Sequence, residues 1–183
     1  MNTPPSPALA AALLGGLALS GCVTTRPYVP APVDQSARIR FAGPQTSAVA
    51  VQVLGYPGGS CDAPMDLGLI DGLPSKVPAA APTFPGAEEY REGSHFERLI
   101  PAGRPYLFTL GGRYASATLP TRWECTVTGS FVPQRGEAYE ARYVWVGERC
   151  SVELQLIRAG ADGRALRQPE ASAQRAAVCR AGL

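Results

Sequence analysis

The sequence predicts an all-β domain of antiparallel strands, with two disulfide bonds and a short C-terminal helix. Three observations lead to this prediction. Apolar residues alternate in twos along most of the chain, as they do in half-buried strands. Four cysteines besides Cys22 follow a segment that is predicted to direct export, and an even number of cysteines in an exported domain indicates disulfides. Residues 170–178 form a run that favours a helix. The length of 183 residues fits one domain.

Seven segments alternate as strands do. The last three carry apolar residues on one face only, which predicts an antiparallel meander with strands joined by turns at 133–136 and at Gly147-Glu148. Glycine as the first residue of a two-residue turn is typical of a type II′ hairpin. The predicted strands are Arg38–Phe41, Ala48–Tyr56, Phe96–Ile100, Tyr106–Leu110, Arg122–Val132, Ala138–Val146 and Arg149–Arg158.

Two segments break the alternation. Residues 57–93 form a predicted irregular excursion, and within it residues 72–86 carry four prolines, which exclude regular pairing. Near the C-terminus, Pro169 precedes the run at 170–178. Proline is tolerated in the first turn of a helix, so this segment predicts the short C-terminal helix.

The N-terminus has the pattern of a bacterial export signal. Residues 1–21 carry no charged side chain, and the twelve-residue apolar run from Ala8 to Leu19 is too short to span a bilayer. The run ends in Leu19-Ser20-Gly21-Cys22, which resembles the lipobox of bacterial lipoproteins. The resemblance implies cleavage after Gly21, a diacylglycerol thioether on Cys22 and acylation of the new amino group, with palmitate as the expected label.

This resemblance also implies a location and a domain organisation. Val23 follows Cys22, and in the related sorting logic the absence of Asp at that position directs a lipoprotein to the outer membrane. The expected organisation is a signal peptide at 1–21, a proline-rich tether at 22–37 and the β domain at 38–183. The domain is expected to face the periplasm, with the membrane contacted through the lipid.

A second resemblance concerns the β domain. The stretch Phe131-Val132-Pro133-Gln134-Arg135-Gly136-Glu137-Ala138-Tyr139, followed by Cys150-Ser151-Val152, is similar to a recurrent pattern in uncharacterised proteobacterial envelope lipoproteins. The resemblance implies a β-sandwich and carries no known activity. Trp145, expected beside cysteines on an inward face, favours an immunoglobulin-like version of that sandwich.

Four cysteines besides Cys22 predict two disulfides in an exported domain. In a meander, Cys125 and Cys150 would lie two strands apart, about 9–10 Å, which exceeds the span of a disulfide. That argument disfavours Cys125–Cys150 and favours Cys61–Cys125 with Cys150–Cys179. The pairing of Cys61 with Cys150 and Cys125 with Cys179 stays open.

No constellation of catalytic or metal-binding residues is evident. The single histidine, His95, has no metal-ligand companion nearby, no CxxC motif occurs, and no G-x-S-x-G elbow accompanies it. The acidic residues Glu88, Glu89 and Glu92 lack the Asp-rich loop of a calcium site. We therefore expect no metal, no cofactor and no enzymatic activity.

The aromatic residues allow a core or a binding role. Four of them share the predicted inward face with cysteines and aliphatic residues, which favours a core over a sugar-binding platform: Trp123, Trp145, Tyr139 and Tyr143. Four others are less determined and could supply a surface site: Tyr56, Tyr90, Tyr106 and Tyr114.

The net charge of +2 excludes the basic surplus of a nucleic-acid-binding protein. Three function classes remain for an exported, lipid-anchored β domain. The first is a non-catalytic envelope protein that binds a protein partner or contributes to an envelope assembly. The alternatives are a module that binds peptidoglycan or another glycan, and an inhibitor of a hydrolase.

Overall fold

The computed structural model describes residues 25–44, 49–72, 84–86, 89–115, 122–162 and 164–179. Within these residues the regular structure consists of strands and short 3-10 turns, one of which is Val33–Gln35. The strands are β1 Arg26–Pro27, β2 Ser36–Ala42, β3 Val49–Tyr56, β4 Met65–Ile70, β5 His95–Pro101, β6 Tyr106–Ala115, β7 Arg122–Phe131, β8 Ala138–Val146, β9 Arg149–Ala159, β10 Ala165–Pro169 and β11 Gln174–Arg175.

The strands form two sheets that pack face to face, as in a β-sandwich. Sheet A has the order β1-β4-β3-β6-β7-β11, and sheet B has the order β10-β9-β8-β2-β5. One hydrophobic core lies between them. It takes Val53, Phe108 and Leu110 from sheet A and Phe41 and Tyr139 from sheet B. The all-β prediction is therefore confirmed, and so is the presence of two disulfides.

All seven predicted strands are present, and the alternation assigned their faces correctly. On β8, Tyr139 and Tyr143 point into the core, whereas Glu140 and Arg142 lie on the outer face of sheet B. The β8–β9 hairpin also has the predicted register, with Trp145 opposite Cys150. Gly147 opens its turn at φ 58°, a conformation that glycine adopts without steric cost.

The three-strand meander is wrong. β7 pairs with β6 and β11 in sheet A, and β8 pairs with β9 and β2 in sheet B, so the segment 132–137 crosses between the sheets. Phe131 and Tyr139 then meet across the core, with ring centres 4.9 Å apart, instead of across a hairpin. Alternation reports which face a residue occupies but does not report which strand is its neighbour.

The purely antiparallel prediction also needs correction. β2 runs parallel to β8, with Arg40 opposite Glu140, and β1 runs parallel to β4. Both parallel pairs join strands that are far apart in the sequence. Long connections make such pairings possible, and strand patterns do not reveal them.

The predicted C-terminal helix is absent, and the excursion contains structure. Residues 165–169 and 174–175 are strands, and Ala176 donates its backbone N–H to the Thr128 carbonyl at 3.0 Å. The bonds that residues 174–176 make to β7 of sheet A override a weak local helix preference.

Within the excursion, residues 65–70 form β4. Residues 84–86 and 89–94, hereafter the strap, lie on the outer face of sheet B.

Part of the predicted tether belongs to the folded domain. Residues 26–27 pair with β4, and the Tyr28 hydroxyl bonds to the backbone of Leu99. The folded domain therefore includes residues before the predicted start at 38. Among the described residues, no helix has the length and apolar character needed to cross a membrane.

Candidate functional site

The disulfides join Cys61 to Cys179 and Cys125 to Cys150, with Cα separations of 5.3 and 6.0 Å. The predicted pairs Cys61–Cys125 and Cys150–Cys179 are wrong, and so is the alternative that was left open. Cys125 lies on β7 and Cys150 on β9, which face each other from different sheets. The two-strand spacing that disfavoured this pair applies only within one sheet, so Cys125–Cys150 links the sheets instead.

Trp145 lies opposite Cys150 in the β8–β9 ladder, and it is half-buried at the margin of the core. Its indole Nε1–H donates to the Gly147 carbonyl at 2.8 Å. Its ring meets that of Tyr143 edge-on, with centres 6.1 Å apart. Trp145 thus lies beside Cys150, as expected, but this cysteine belongs to a disulfide that was disfavoured, and Trp145 is less enclosed than a central core residue.

The other aromatic residues occupy several environments. Tyr139 and Tyr143 are buried in the core, and burial raises the pKa of Tyr143 to about 12. Tyr56 and Tyr106 are also buried, which removes them from the set that could form a surface site. Tyr114 is half-buried. The side chain of Trp123 lies outside the described residues.

The main cluster of charged residues lies under the strap, on the outer face of sheet B. We call it the clasp, and it comprises five sheet residues and three strap residues. The sheet residues are Arg40, Glu97, Glu140, Arg142 and Arg167, and the strap residues are Phe84, Glu89 and Tyr90. Its three arginines and three glutamates balance in formal charge. Sequence analysis missed the clasp because its sheet residues come from four different strands.

Arg40 is the centre of the clasp. Its guanidinium is fully buried and lies 4.4 Å from the ring centre of Phe84 and 4.9 Å from that of Tyr90. Nη2 lies 3.0 Å from a Glu97 carboxylate oxygen, and Nη1 lies 3.5 Å from a Glu140 oxygen. Arg40 also donates to the Gly86 carbonyl at 3.3 Å. A buried cation thus holds the strap through two aromatic faces and one backbone bond.

Glu140 is fully buried and is shared by three arginines. Its Oε2 atom faces Arg40. Its Oε1 atom lies 2.8 Å from Arg142 Nη2 and 3.5 Å from Arg167 Nε. Burial by itself would raise the pKa of the Glu140 carboxyl. Hydrogen bonds with Tyr90 and Arg142, together with the charges of Arg167 and Arg142, outweigh burial and hold this pKa below its usual value. Glu140 is therefore ionised in the folded protein.

Arg167 ties β10 to the strap. Its Nη2 lies 2.8 Å from a Glu89 carboxylate oxygen. Of the other acidic residues considered as a cation site, Glu88 lies outside the described residues and Glu92 is exposed. Glu89 is thus an ion-pair partner, and among the described residues no group of three potential ligands could hold a metal ion.

His95 begins β5 beside the clasp, with its ring centre 5.0 Å from that of Tyr90. Burial and the charge of Arg40 lower the pKa of His95, although Glu97 opposes them. The imidazole is therefore neutral near pH 7. The clasp as a whole can hold a chain segment in place, but each of its carboxylates is already engaged by arginine.

Two cavities lie away from the clasp. One, of about 190 Å³, opens between the sheets and is lined by residues that include Phe108, Val127 and Leu154. The other, of about 430 Å³, is an open depression on the outer face of sheet A around Gln52 and Gly111. Sequence patterns did not point to either cavity, since each combines residues from several strands.

Comparison of the chain with protein-family models, with curated proteins and with solved structures finds no match. Cys22, the predicted lipidation site, lies outside the described residues.

Proposed function

We propose that this chain is a non-catalytic, lipid-anchored envelope protein whose β domain binds a protein partner or contributes to an envelope assembly. The observation that carries the proposal is the pairing of four cysteines in two disulfides. Structural disulfides persist in oxidising compartments such as the periplasm. This use of four cysteines leaves Cys22, in its lipobox-like sequence, as the one available for lipid.

The state of the ionisable groups supports a non-catalytic role. A general acid or base needs a carboxyl or imidazole that reaches a substrate. Glu97 and Glu140 are instead paired with Arg40, and His95 lies partly buried beside them. These groups hold the strap in place, which supports a binding role over a catalytic one.

The inter-sheet disulfide supports an immunoglobulin-like domain as part of the same proposal. In such sandwiches a disulfide links the two sheets and a Trp packs beside it. Cys125–Cys150 links the sheets here, and Trp145 lies opposite Cys150. Domains of this architecture commonly bind other proteins, which agrees with the proposed role.

Metabolic labelling tests the lipid anchor. Cells that express the wild-type chain should incorporate labelled palmitate into it, and the protein should fractionate with outer membranes. Cys22→Ala should abolish labelling and release a soluble or unprocessed form. Ser20→Ala, which keeps a small residue before the cleavage site, is the matched control and should label normally. Labelling of the Cys22→Ala variant would overturn the lipid anchor.

Crosslinking in intact cells, followed by capture of the wild-type protein, tests the binding role. We expect one protein to be recovered reproducibly with the wild type and lost when the anchor is removed. Two parallel assays cover the alternatives: co-sedimentation with purified peptidoglycan and inhibition of lysozyme. Binding or inhibition in either assay, without a captured protein, would replace the proposed function by the corresponding alternative.

A further inference from the structure

The inter-sheet cavity lies where β7 and β9 face each other across the sandwich. At one end of these strands the Cys125–Cys150 disulfide holds the sheets together. Further along, Val127, Gly129 and Ser130 of β7 and Ser151, Val152 and Leu154 of β9 line an opening of about 190 Å³. The segment 173–175 forms its rim, because β11 pairs with β7 there. We call this opening the inter-sheet pocket.

The interior of the inter-sheet pocket is apolar. Phe108, Val127, Val152 and Leu154 supply its inner walls, and the first two are almost completely buried. Ser130 and Ser151 also border the opening. A cavity of about 150 Å³ with aliphatic and aromatic walls is large enough to bind benzene. The inter-sheet pocket therefore has room for one ring or a short alkyl chain.

Gly129 contributes to the space in the pocket. It is paired with Phe108 on the neighbouring strand, and a Cβ at position 129 would lie 2.7 Å from Phe108 Cζ. Any larger residue would displace the phenyl ring. Glycine thus lets the Phe108 ring approach β7 closely, while position 129 projects no side chain into the opening.

The rim carries a positive charge. Arg175 is exposed and, within the described chain, forms no ion pair; Gln174 beside it adds an amide donor. The described lining contains no acidic side chain. Arginine binds carboxylates through two parallel hydrogen bonds. An apolar interior below a cationic rim is complementary to a molecule with one apolar end and one carboxylate.

We propose that the inter-sheet pocket binds a small amphipathic carboxylate, with a ring or short alkyl chain between the sheets and the carboxylate at Arg175. This function goes beyond the proposed protein-binding role. It requires neither lipid on Cys22 nor the capture of a partner, so the two proposals can fail separately.

The test measures binding of 3-phenylpropanoate and of its neutral analogue 3-phenylpropanol to the purified full chain, by titration calorimetry and saturation-transfer NMR. Protein-free micelles provide the blank. We expect saturable binding of both compounds. Arg175→Gln should weaken the carboxylate about tenfold or more and leave the alcohol within about twofold. Arg164→Gln, which changes an exposed arginine away from the pocket, should alter neither affinity.

A second variant separates the pocket from non-specific binding. Val152→Phe places a larger side chain in the pocket and should abolish binding of both compounds. Val146→Phe, at an exposed position outside the pocket, should preserve it. If Val152→Phe does not fold, Arg175→Gln still decides the matter, because Arg175 lies on the surface. Absence of saturable binding, or equal loss of both compounds in Arg175→Gln, would overturn the proposal.

Discussion

The Tyr28 hydroxyl accepts a hydrogen bond from the Leu99 backbone N–H at 2.9 Å and donates one to the Leu99 carbonyl at 3.1 Å. Leu99 belongs to β5, the strand at the edge of sheet B. One side chain therefore replaces a neighbouring strand at this point, and the aromatic ring lies 5.0 Å from the buried Arg98 guanidinium. Covering exposed strand edges protects β proteins from edge-to-edge aggregation.

Tyr28→Phe tests this relationship. The variant keeps the ring beside Arg98 and removes both hydrogen bonds to Leu99, so the free energy of unfolding should fall by about 1–2 kcal/mol. Urea denaturation followed by circular dichroism measures the change. Val29→Ala, at an exposed neighbouring position, should change stability by less than about 0.5 kcal/mol. Equal stability of Tyr28→Phe and wild type would show that the two bonds contribute nothing.

Arg142→Ala should destabilise the domain, although alternation along β8 predicts a neutral surface position. Arg142 is one of three arginines around the buried Glu140 carboxylate and also donates to the Tyr90 hydroxyl at 2.9 Å. Loss of one partner of a buried charge should cost about 1–3 kcal/mol, since Arg40 and Arg167 remain. Arg158→Ala, which removes an exposed ion pair to Glu137, should cost less than about 0.5 kcal/mol. Similar losses in the two variants would contradict the clasp.

Acidification should loosen the strap in two stages. The pKa of His95 is lowered in the folded protein, so the unfolded chain takes up a proton first and stability begins to fall below about pH 6.5. The folded pKa of the Glu140 carboxyl lies below its unfolded pKa of 4.5. The resulting stabilisation is fully present above pH 4.5 and is lost as the pH falls through the folded pKa. Hydrogen exchange of residues 84–95 between pH 7 and 3 measures both stages.

His95→Gln is the control for the first stage. It should remove the loss of stability between pH 7 and 5 and keep the loss at lower pH. Glu140→Gln should remove the lower stage, at the cost of a weaker strap at neutral pH. A pH profile that is unchanged in both variants would show that other groups control acid sensitivity.

Trp145 should report on the inter-sheet disulfide. Disulfides quench indole fluorescence, and Trp145 lies opposite Cys150. In a Trp123→Phe background, emission should therefore rise when Cys125–Cys150 is reduced under native conditions. Trp145→Ala should lower stability by about 2–3 kcal/mol, below the range of about 3–5 kcal/mol for fully buried aromatics, because the ring is half-buried.

Peptide mapping without reduction tests the disulfide pairing. It should recover Cys125–Cys150 and Cys61–Cys179, and any other pair would contradict the fold.

Local alternation determined the strands and their faces. Successive side chains of a strand point to opposite sides, so the inward position of Tyr139 and the outward position of Glu140 can be read from their neighbours in the sequence. The β8–β9 register was equally predictable, since a two-residue turn leaves one alignment. The expectation of an export signal at residues 1–22 also depends only on local sequence, and both that signal and the lipid anchor it implies stay predictions.

Only the tertiary structure decided which strands are neighbours, which cysteines pair and how the clasp forms. Arg40 and Glu140 are 100 positions apart and meet because β2 pairs parallel to β8. Cys125 and Cys150 meet because the chain changes sheets between β7 and β8. A local sequence pattern contains no information about partners that are so distant in the chain. Their choice depends on the packing of both sheets around one core, where every pairing must bury the same apolar faces together.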